Sequence, residues 1–311
     1  MKASLNFSQN RLSYPAFGAI YPDRCAKNIA QYEKYYQDSA DFDFYKLTFN
    51  TTNLFREVES QLELMDLLDP NKKTAVKVLG CSDGSEVYSY AIALAQKFGD
   101  KARKNFKVLG VDYDSAMIAL ARTKSLVLSE KESNTQDVDL NKITDCWINL
   151  AKCSYLEKAK KPLEFDELKE MYPELRYVEY DPVSKSKIGN ELNWYSAKSN
   201  ILPEIEFKFD DMMNCLDSTE STEAEVYVVA NSSGYFIQEN NGIQKYLDIF
   251  REIKSQNESK NKDVFVVIGD LELRALRNKF MDRYVDCELK RLGFQKSSTQ
   301  NNSKIYKLSY L

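Results

Sequence analysis

Histidine is missing from all 311 residues, and that absence removes Ser-His-Asp triads, Cys-His dyads and imidazole-ligated metal centres together. Any chemistry must run without imidazole. No stretch of about 18 apolar residues occurs, and residues 1–17 lack a basic start followed by an apolar run. Neither a membrane span nor a secretory signal is indicated, so a cytoplasmic location is the default. The six cysteines (Cys25, Cys81, Cys146, Cys153, Cys215 and Cys287) include no CxxC pair. This spacing argues against a zinc ribbon or a dense disulfide framework and for reduced, mostly buried thiols, and no metal site is expected. A formal charge of -4 with 29% charged residues gives no basic footprint for a nucleic-acid partner.

What is present is alternation. A chain of 311 residues can bury one large core with an appended subdomain. Residues 26–36 carry Ile29, Tyr32, Tyr35 and Tyr36 at helical spacing. Residues 76–80 form a short apolar run closed by Gly80-Cys81-Ser82-Asp83-Gly84, after which Val87, Tyr88, Ala91, Ile92 and Leu94 recur with helical period. Residues 106–111 repeat the design: a strand closed by Asp112, then Ser115 placed to cap a helix containing Met117, Ile118, Leu120 and Ala121. Residues 225–230 and 263–268 read as further buried strands around a helix faced by Ile243, Leu247, Phe250 and Ile253. Residues 271–292 read as helix stopped by Gly293, before an antiparallel hairpin of residues 294–298 and 304–310. The pattern predicts an α/β, Rossmann-like, mostly parallel sheet with helices on both faces and an antiparallel C-terminal hairpin, an ending typical of class I methyltransferases rather than of dehydrogenases.

Residues 124–203 are far too long for an ordinary connection and predict a structured α/β insertion, helical in its early part. Residues 192–201 and 205–209 mix aromatic and polar residues as strands do, which suggests a small β subdomain at the edge of the sheet.

In an open parallel sheet, ligands bind beyond the carboxyl ends of the strands. The glycine-bearing turn at residues 80–84, with Glu86 opening the next helix, lets backbone approach a ligand closely, although such a turn also serves as structure alone. Asp112 sits where an acidic side chain accepts hydrogen bonds from ribose hydroxyls, and fits equally the start of a turn or a helix cap. Asp210 and Asp211, with Met212 following, suit an adenine contact or a solvated acidic turn. Asn231 and Tyr235 follow a strand end from which methyl-facing groups project, and Tyr235 alternatively packs as an aromatic cover.

Together these segments resemble the CheR-type protein carboxyl methyltransferases. Thr51-Thr52-Asn53-Leu54-Phe55-Arg56-Glu57 is similar to that family's T-x-F-F-R-E signature, with Leu54 in place of the first phenylalanine. The run from Gly80 to Ser89 is similar to G-C-S-x-G-E-E-P-Y-S, departing at Ser85 and Val87. Asp112-Tyr113-Asp114, Leu120-Ala121-Arg122 and Leu128-Ser129-Glu130 follow in the family's order. The resemblance implies a short helical N-terminal region at 1–48 and an S-adenosylmethionine (SAM) binding methyltransferase domain at 49–311, with the insertion at about 124–203. It also implies SAM as cofactor and S-adenosylhomocysteine as product. By position, Asn50, Thr52 and Arg56 lie along the methionine end, Glu86 meets the amino group and Asp112 holds the ribose. Gly80, Cys81, Ser82, Gly84 and Tyr113 line the same rim, Asp211 and Met212 contact adenine, and Asn231 and Tyr235 face the methyl group. Arg56, Asn231 and Tyr235 are the residues expected to act on the acceptor, which in the family is a protein carboxylate. The inserted subdomain docks a receptor's tail peptide in some members.

One departure bears on the acceptor: Ala230 stands where the family has an arginine that helps hold the acceptor carboxylate, and alanine supplies neither its charge nor its forked hydrogen bonds. A different small-molecule or protein acceptor, or a cofactor-binding module without turnover, therefore stands beside carboxylate methylation. A histidine-free site suits that last reaction, because a carboxylate of ordinary pKa, about 4.3, is already ionised at neutral pH. Alignment of the reactants is then the main task, worth roughly 7 to 11 kcal/mol of the barrier.

Overall fold

The computed structural model describes residues 54–112, 114–128, 143–160, 164–171, 193–217, 219, 221–229, 242–269, 279–297 and 304–309. Its centre is β1 (Thr74–Leu79), buried at every position, with β2 (Phe106–Asp112) parallel on one side and β7 (Ala224–Val229) parallel on the other. The β-branched run of β1 and β7 suits a strand covered on both faces. Adding β6 (Glu204–Phe209), β8 (Asp263–Ile268), β9 (Phe294–Lys296) and β10 (Ile305–Leu308) completes a seven-stranded sheet. Its order is β6-β2-β1-β7-β8-β10-β9. The first five strands in this order run parallel, whereas β10 is antiparallel to both β8 and β9. This is the mostly parallel, Rossmann-like sheet with an antiparallel C-terminal edge that alternation and the terminal hairpin predict.

Alternation along the central strands sends side chains to two cores. Val76, Val78, Val226, Val228, Phe265 and Val267 join one cluster with α1 (Val58–Leu67), α2 (Ser85–Phe98), α3 (Asp100–Asn105) and α4 (Ser115–Arg122). Tyr227, Val229, Val264, Val266 and Ile268 join the other, beneath α7 (Gly242–Asn257) and α8 (Lys279–Arg291). Leu247, Phe250 and Ile253 of α7 are fully buried, as their helical spacing predicts.

A second, three-stranded antiparallel sheet, ordered β3-β5-β4, consists of β3 (Ser125–Leu128), β4 (Leu156–Lys158) and β5 (Asn193–Ala197). Between β3 and β5 the chain also forms α5 (Ile143–Tyr155) and α6 (Glu164–Met171). Trp147 of α5 meets Phe55 edge-on, with ring centroids 5.5 Å apart.

Residues 205–209, grouped by composition with the small subdomain, instead form the edge strand of the main sheet. Glu204, Glu206 and Lys208 alternate there with Ile205, Phe207 and Phe209, and Lys107 of β2 pairs with Glu204 and Glu206 at 3.0 and 2.7 Å. Charges along an open edge discourage pairing with a further strand, so the mixed pattern reflects edge position rather than membership of a separate sheet.

The apolar reading of residues 76–80 passes over Lys77, which is buried. Its ammonium lies 3.3 Å from Glu225 and donates to the Asp217 carbonyl, and Lys262 approaches Glu225 at 3.6 Å. Burial pulls the Lys77 pKa down against the pull of Glu225. Of the four cysteines whose side chains are described, Cys81 and Cys215 are buried while Cys153 and Cys287 are exposed, so these thiols are less uniformly buried than their residue type predicts. No described helix is long and apolar enough to cross a membrane.

Candidate functional site

The carboxyl ends of β1, β2 and β6 meet at one rim, next to the point where the chain reverses its direction of strand addition and places β7 on the far side of β1. The loop after β1 is tight: the Gly80 and Cys81 amides both donate to the Val111 carbonyl, at 2.8 and 3.0 Å. Ser82, at φ 49°, and Gly84, at φ 84°, both adopt left-handed backbone. At Gly84 any side chain is also excluded by space, since a Cβ there would lie 2.8 Å from the Phe207 ring. Asp83 accepts from the Ser85 amide at 2.9 Å and so starts α2 in place of a side-chain cap at Gly84.

Asp112 ends β2, buried, and accepts from the Ser82 amide at 2.7 Å and from the Asp114 amide at 2.9 Å. The carboxylate therefore ties the first loop to the second. Asp114, not Ser115, caps α4, accepting from the Ala116 and Met117 amides. The carboxylate one residue earlier reaches the first-turn amides, and Ser115 becomes the first helical residue.

Glu86, in the first turn of α2, faces Arg56 across the rim, with Nη2 3.3 Å from Oε2 and side chains 14% and 7% exposed for arginine and glutamate. Arg56 is delivered by a strained turn: Phe55 and Glu57 on either side have φ of 59° and 57°. Left-handed backbone at such residues costs roughly 1 to 3 kcal/mol each and persists only where its surroundings hold it. The Phe55 amide donates to Ser89 Oγ at 2.7 Å, Gln61 Nε2 donates to the Arg56 carbonyl at 3.0 Å, and Glu57 lies 3.6 Å from Lys304. Among the described residues the guanidinium is only partly satisfied, because Nε and Nη1 are buried and find no hydrogen-bond partner there. Burial raises the Glu86 carboxyl to about 7 against the downward pull of Arg56, with Glu57 adding to the rise.

At the end of β6, the Asp210 amide donates to the Asp112 carbonyl at 3.1 Å, which locks the third loop to the second. Asp211 caps a short 3-10 turn, Met212–Cys215, accepting from the Met213 amide at 2.9 Å, and Met212 is buried. Lys208, 2.7 Å from Asp210, and the Asn214 amide hold the Asp210 carboxyl below the usual range.

Thus Arg56, Gly80, Cys81, Ser82, Gly84, Glu86, Asp112, Asp211 and Met212 lie on the described rim and its adjoining turns. Asn50, Thr52, Tyr113, Asn231 and Tyr235 lie outside the described residues. Spacing gives no sign of the roles of Asp83, Asp114 and Ser89 as braces, although each is a short polar side chain within three residues of a helix start or four of its partner. Among the described residues no group of three or more acidic or cysteine side chains is placed to hold a metal ion.

A parallel sheet with this order, an acid anchored at the end of β2, and a buried Arg-Glu pair with two unused donors fit a zwitterionic nucleoside cofactor. They place the protein in the class of SAM-dependent methyltransferases. Residues 46–140 match the family model described as CheR methyltransferase, SAM binding domain. No curated protein matches the sequence significantly. Among solved structures, a SAM-dependent methyltransferase from Leishmania major is 8% identical, with 81% of this chain and 71% of that one covered and a TM-score of 0.34. A TehB-like SAM-dependent methyltransferase from Corynebacterium glutamicum is 11% identical, with 89% and 96% covered and a TM-score of 0.33. The plantazolicin methyltransferase BpumL, solved in complex with S-adenosylhomocysteine, is 9% identical, with 92% and 76% covered and a TM-score of 0.32.

Proposed function

We propose that this protein transfers the methyl group of SAM to a carboxylate of a protein, forming a methyl ester. Bound at the rim, the cofactor supplies a methyl group on a sulfonium, activated for displacement by a carboxylate oxygen. In this reading Glu86 receives the cofactor's amino group, Asn50, Thr52 and Arg56 line its methionine end, and the loop from Gly80 through Cys81 and Ser82 to Gly84 backs it. Asp112 holds the ribose, and Tyr113, Asp211 and Met212 meet the adenine. Arg56 also fixes the acceptor carboxylate, while Asn231 and Tyr235 position the acceptor at the methyl group. The chain divides at about residue 49, and the insertion at about 124–203 presents the protein substrate.

The observation that carries the reading is the half-used Arg56 guanidinium. Each buried, unpaired N–H costs about 1 to 3 kcal/mol, and an incoming carboxylate would offset that cost with charge-assisted hydrogen bonds. A different acceptor is the second reading, and Ala230 favours it because it replaces the family's arginine beside Asn231.

Incubation of the full chain with methyl-tritiated SAM and a cell lysate separates the two. Carboxyl esters release volatile tritiated methanol on brief alkaline treatment, and Arg56→Ala should abolish that release. Label that is base-stable, or that partitions into small molecules, transfers the case to the second reading. Cofactor binding without any incorporation makes the protein a binding module. Undiminished turnover in the Arg56→Ala variant removes Arg56 from the acceptor site.

A further inference from the structure

Because β10 runs antiparallel to β8, it begins at the rim where the parallel strands end. Lys304 stands at that beginning, and its carbonyl accepts from the amide of Ile268, the last residue of β8, at 3.0 Å. Its ammonium lies 3.6 Å from the Glu57 carboxylate, and the two side chains are only 12% and 13% exposed. Glu57 directly follows Arg56, and its left-handed backbone opens α1, with the Ser60 and Gln61 amides donating to its carbonyl at 3.0 and 3.2 Å. Water and salt screen so well covered a pair only weakly, and loss of one partner strands the other charge. The antiparallel edge of the sheet thus clamps the turn that presents Arg56.

The clamp also bears on charge. Arg56 faces Glu86 as Lys304 faces Glu57, so two cations and two carboxylates alternate across this side of the rim. Glu57 works against ionisation of Glu86 and Arg56 works for it. Tyr90 on α2 and Cys81 in the first loop also feel the Glu86 charge, but burial raises both well above their ordinary values, so neither ionises near neutrality. The carboxylate that opposes an ionised Glu86 is therefore Glu57, and Lys304 stands beside it.

We infer that Lys304 is a positioning residue for the methyl-transfer site, holding Glu57, and through Glu57 the left-handed turn, so that Arg56 stays opposite Glu86. Its part in transfer rests on the cofactor reading of the rim, whereas the clamp itself does not. Neither the residue pattern nor the family resemblance assigns Lys304 a role.

Titration of Glu86 in the full chain tests the clamp without a ligand, by carbon-13 NMR of labelled glutamate carboxyls with the signal assigned by its loss in Glu86→Gln. Lys304→Met keeps the length of the side chain and drops its charge. It should raise the Glu86 midpoint by about one pH unit, because removing a cation leaves Glu57 unopposed and favours the protonated form. Lys304→Arg should restore the wild-type midpoint. S-adenosylhomocysteine should accordingly bind Lys304→Met about tenfold more weakly at pH 6 and equally well at pH 9, measured by isothermal titration. If the methionine variant folds poorly, Glu57→Gln takes its place and should move the midpoint the other way. An unmoved midpoint overturns the role of Lys304. So does a loss of affinity that is equal at both pH values, since a fold defect alone would produce it. A midpoint that rises in a chain unable to bind S-adenosylhomocysteine upholds the clamp but sinks the cofactor reading, and with it the part of Lys304 in transfer.

Discussion

A carboxyl whose pKa stands at about 7 is half protonated at neutral pH, and Glu86 is in that position because burial outweighs the pull of Arg56. Only the ionised form can pair with an ammonium group. If Glu86 receives the cofactor's amino group, binding must remove its proton whenever the proton is present. The sign follows: the raised pKa of the free protein means that affinity falls as pH drops below about 7 and levels off above it. The expected slope is about tenfold in Kd per pH unit on the acid side, measured by titrating S-adenosylhomocysteine at pH 6 and pH 8. Glu86→Gln should bind more weakly and lose the slope, and a wild-type profile that is flat between those values would detach Glu86 from the amino group. At this scale the sequence is informative about single positions. Glu86 and Asp112 are legible because each ends or opens an element whose hydrophobic period is clear. The Arg56–Glu86 pair is not, since no spacing rule joins two groups 30 residues apart through a left-handed turn. The spacing offers Ser115 as the cap, but the carboxylate of Asp114, an equally good cap type, reaches the first-turn amides one residue earlier.

Three elements converge on Gly110 in the middle of β2. A Cβ there would meet Val87 Cγ2 of α2 at 2.7 Å, Phe207 Cδ1 of β6 at 2.8 Å and Cys81 Sγ of the first loop at 2.9 Å. None can give way freely, because Val87 and Cys81 are buried and Phe207 is wedged beneath Gly84. Gly110→Ala is therefore expected to destabilise by about 1 to 3 kcal/mol, the usual cost of overpacking. Displacement of Cys81 should also weaken S-adenosylhomocysteine binding, since the first loop moves with it. Denaturant melts and titration of the same variant measure both effects, and an unchanged midpoint would mean that the three elements do not close on this point. Element existence is legible wherever burial is one-sided or complete, as in β1, β7, β8 and α7, because those patterns have a period. It is less legible where a strand lies at an edge: residues 204–209 alternate charged and apolar side chains as a free-standing sheet would, and only the pairing with β2 assigns them. The buried Lys77–Glu225–Lys262 cluster hides for the opposite reason, since one lysine inside an apolar run carries no mark of a partner on another strand.

At the scale of the whole molecule, a late strand adds to both cores. β10 inserts between β8 and β9, and it sends Ile305 to the cluster under α2 while Tyr306 and Leu308 enter the cluster under α7. All three are buried. Fully burying a side chain of this size contributes about 1.5 to 3 kcal/mol, so the three together supply roughly 4.5 to 9 kcal/mol as an upper figure. Natural domains hold only about 5 to 15 kcal/mol in total. Ending the chain at Ser303 should therefore abolish the cooperative thermal transition and expose dye-binding apolar surface, as when helices and strands persist without fixed packing. Lys307→Ala is the control: it removes the 2.6 Å pair with Asp263 at a partly exposed position, and its cost should stay within about 1 kcal/mol. A shortened chain that still melts sharply, near the temperature of the full one, would show that the cores on the two faces of the sheet hold without β10.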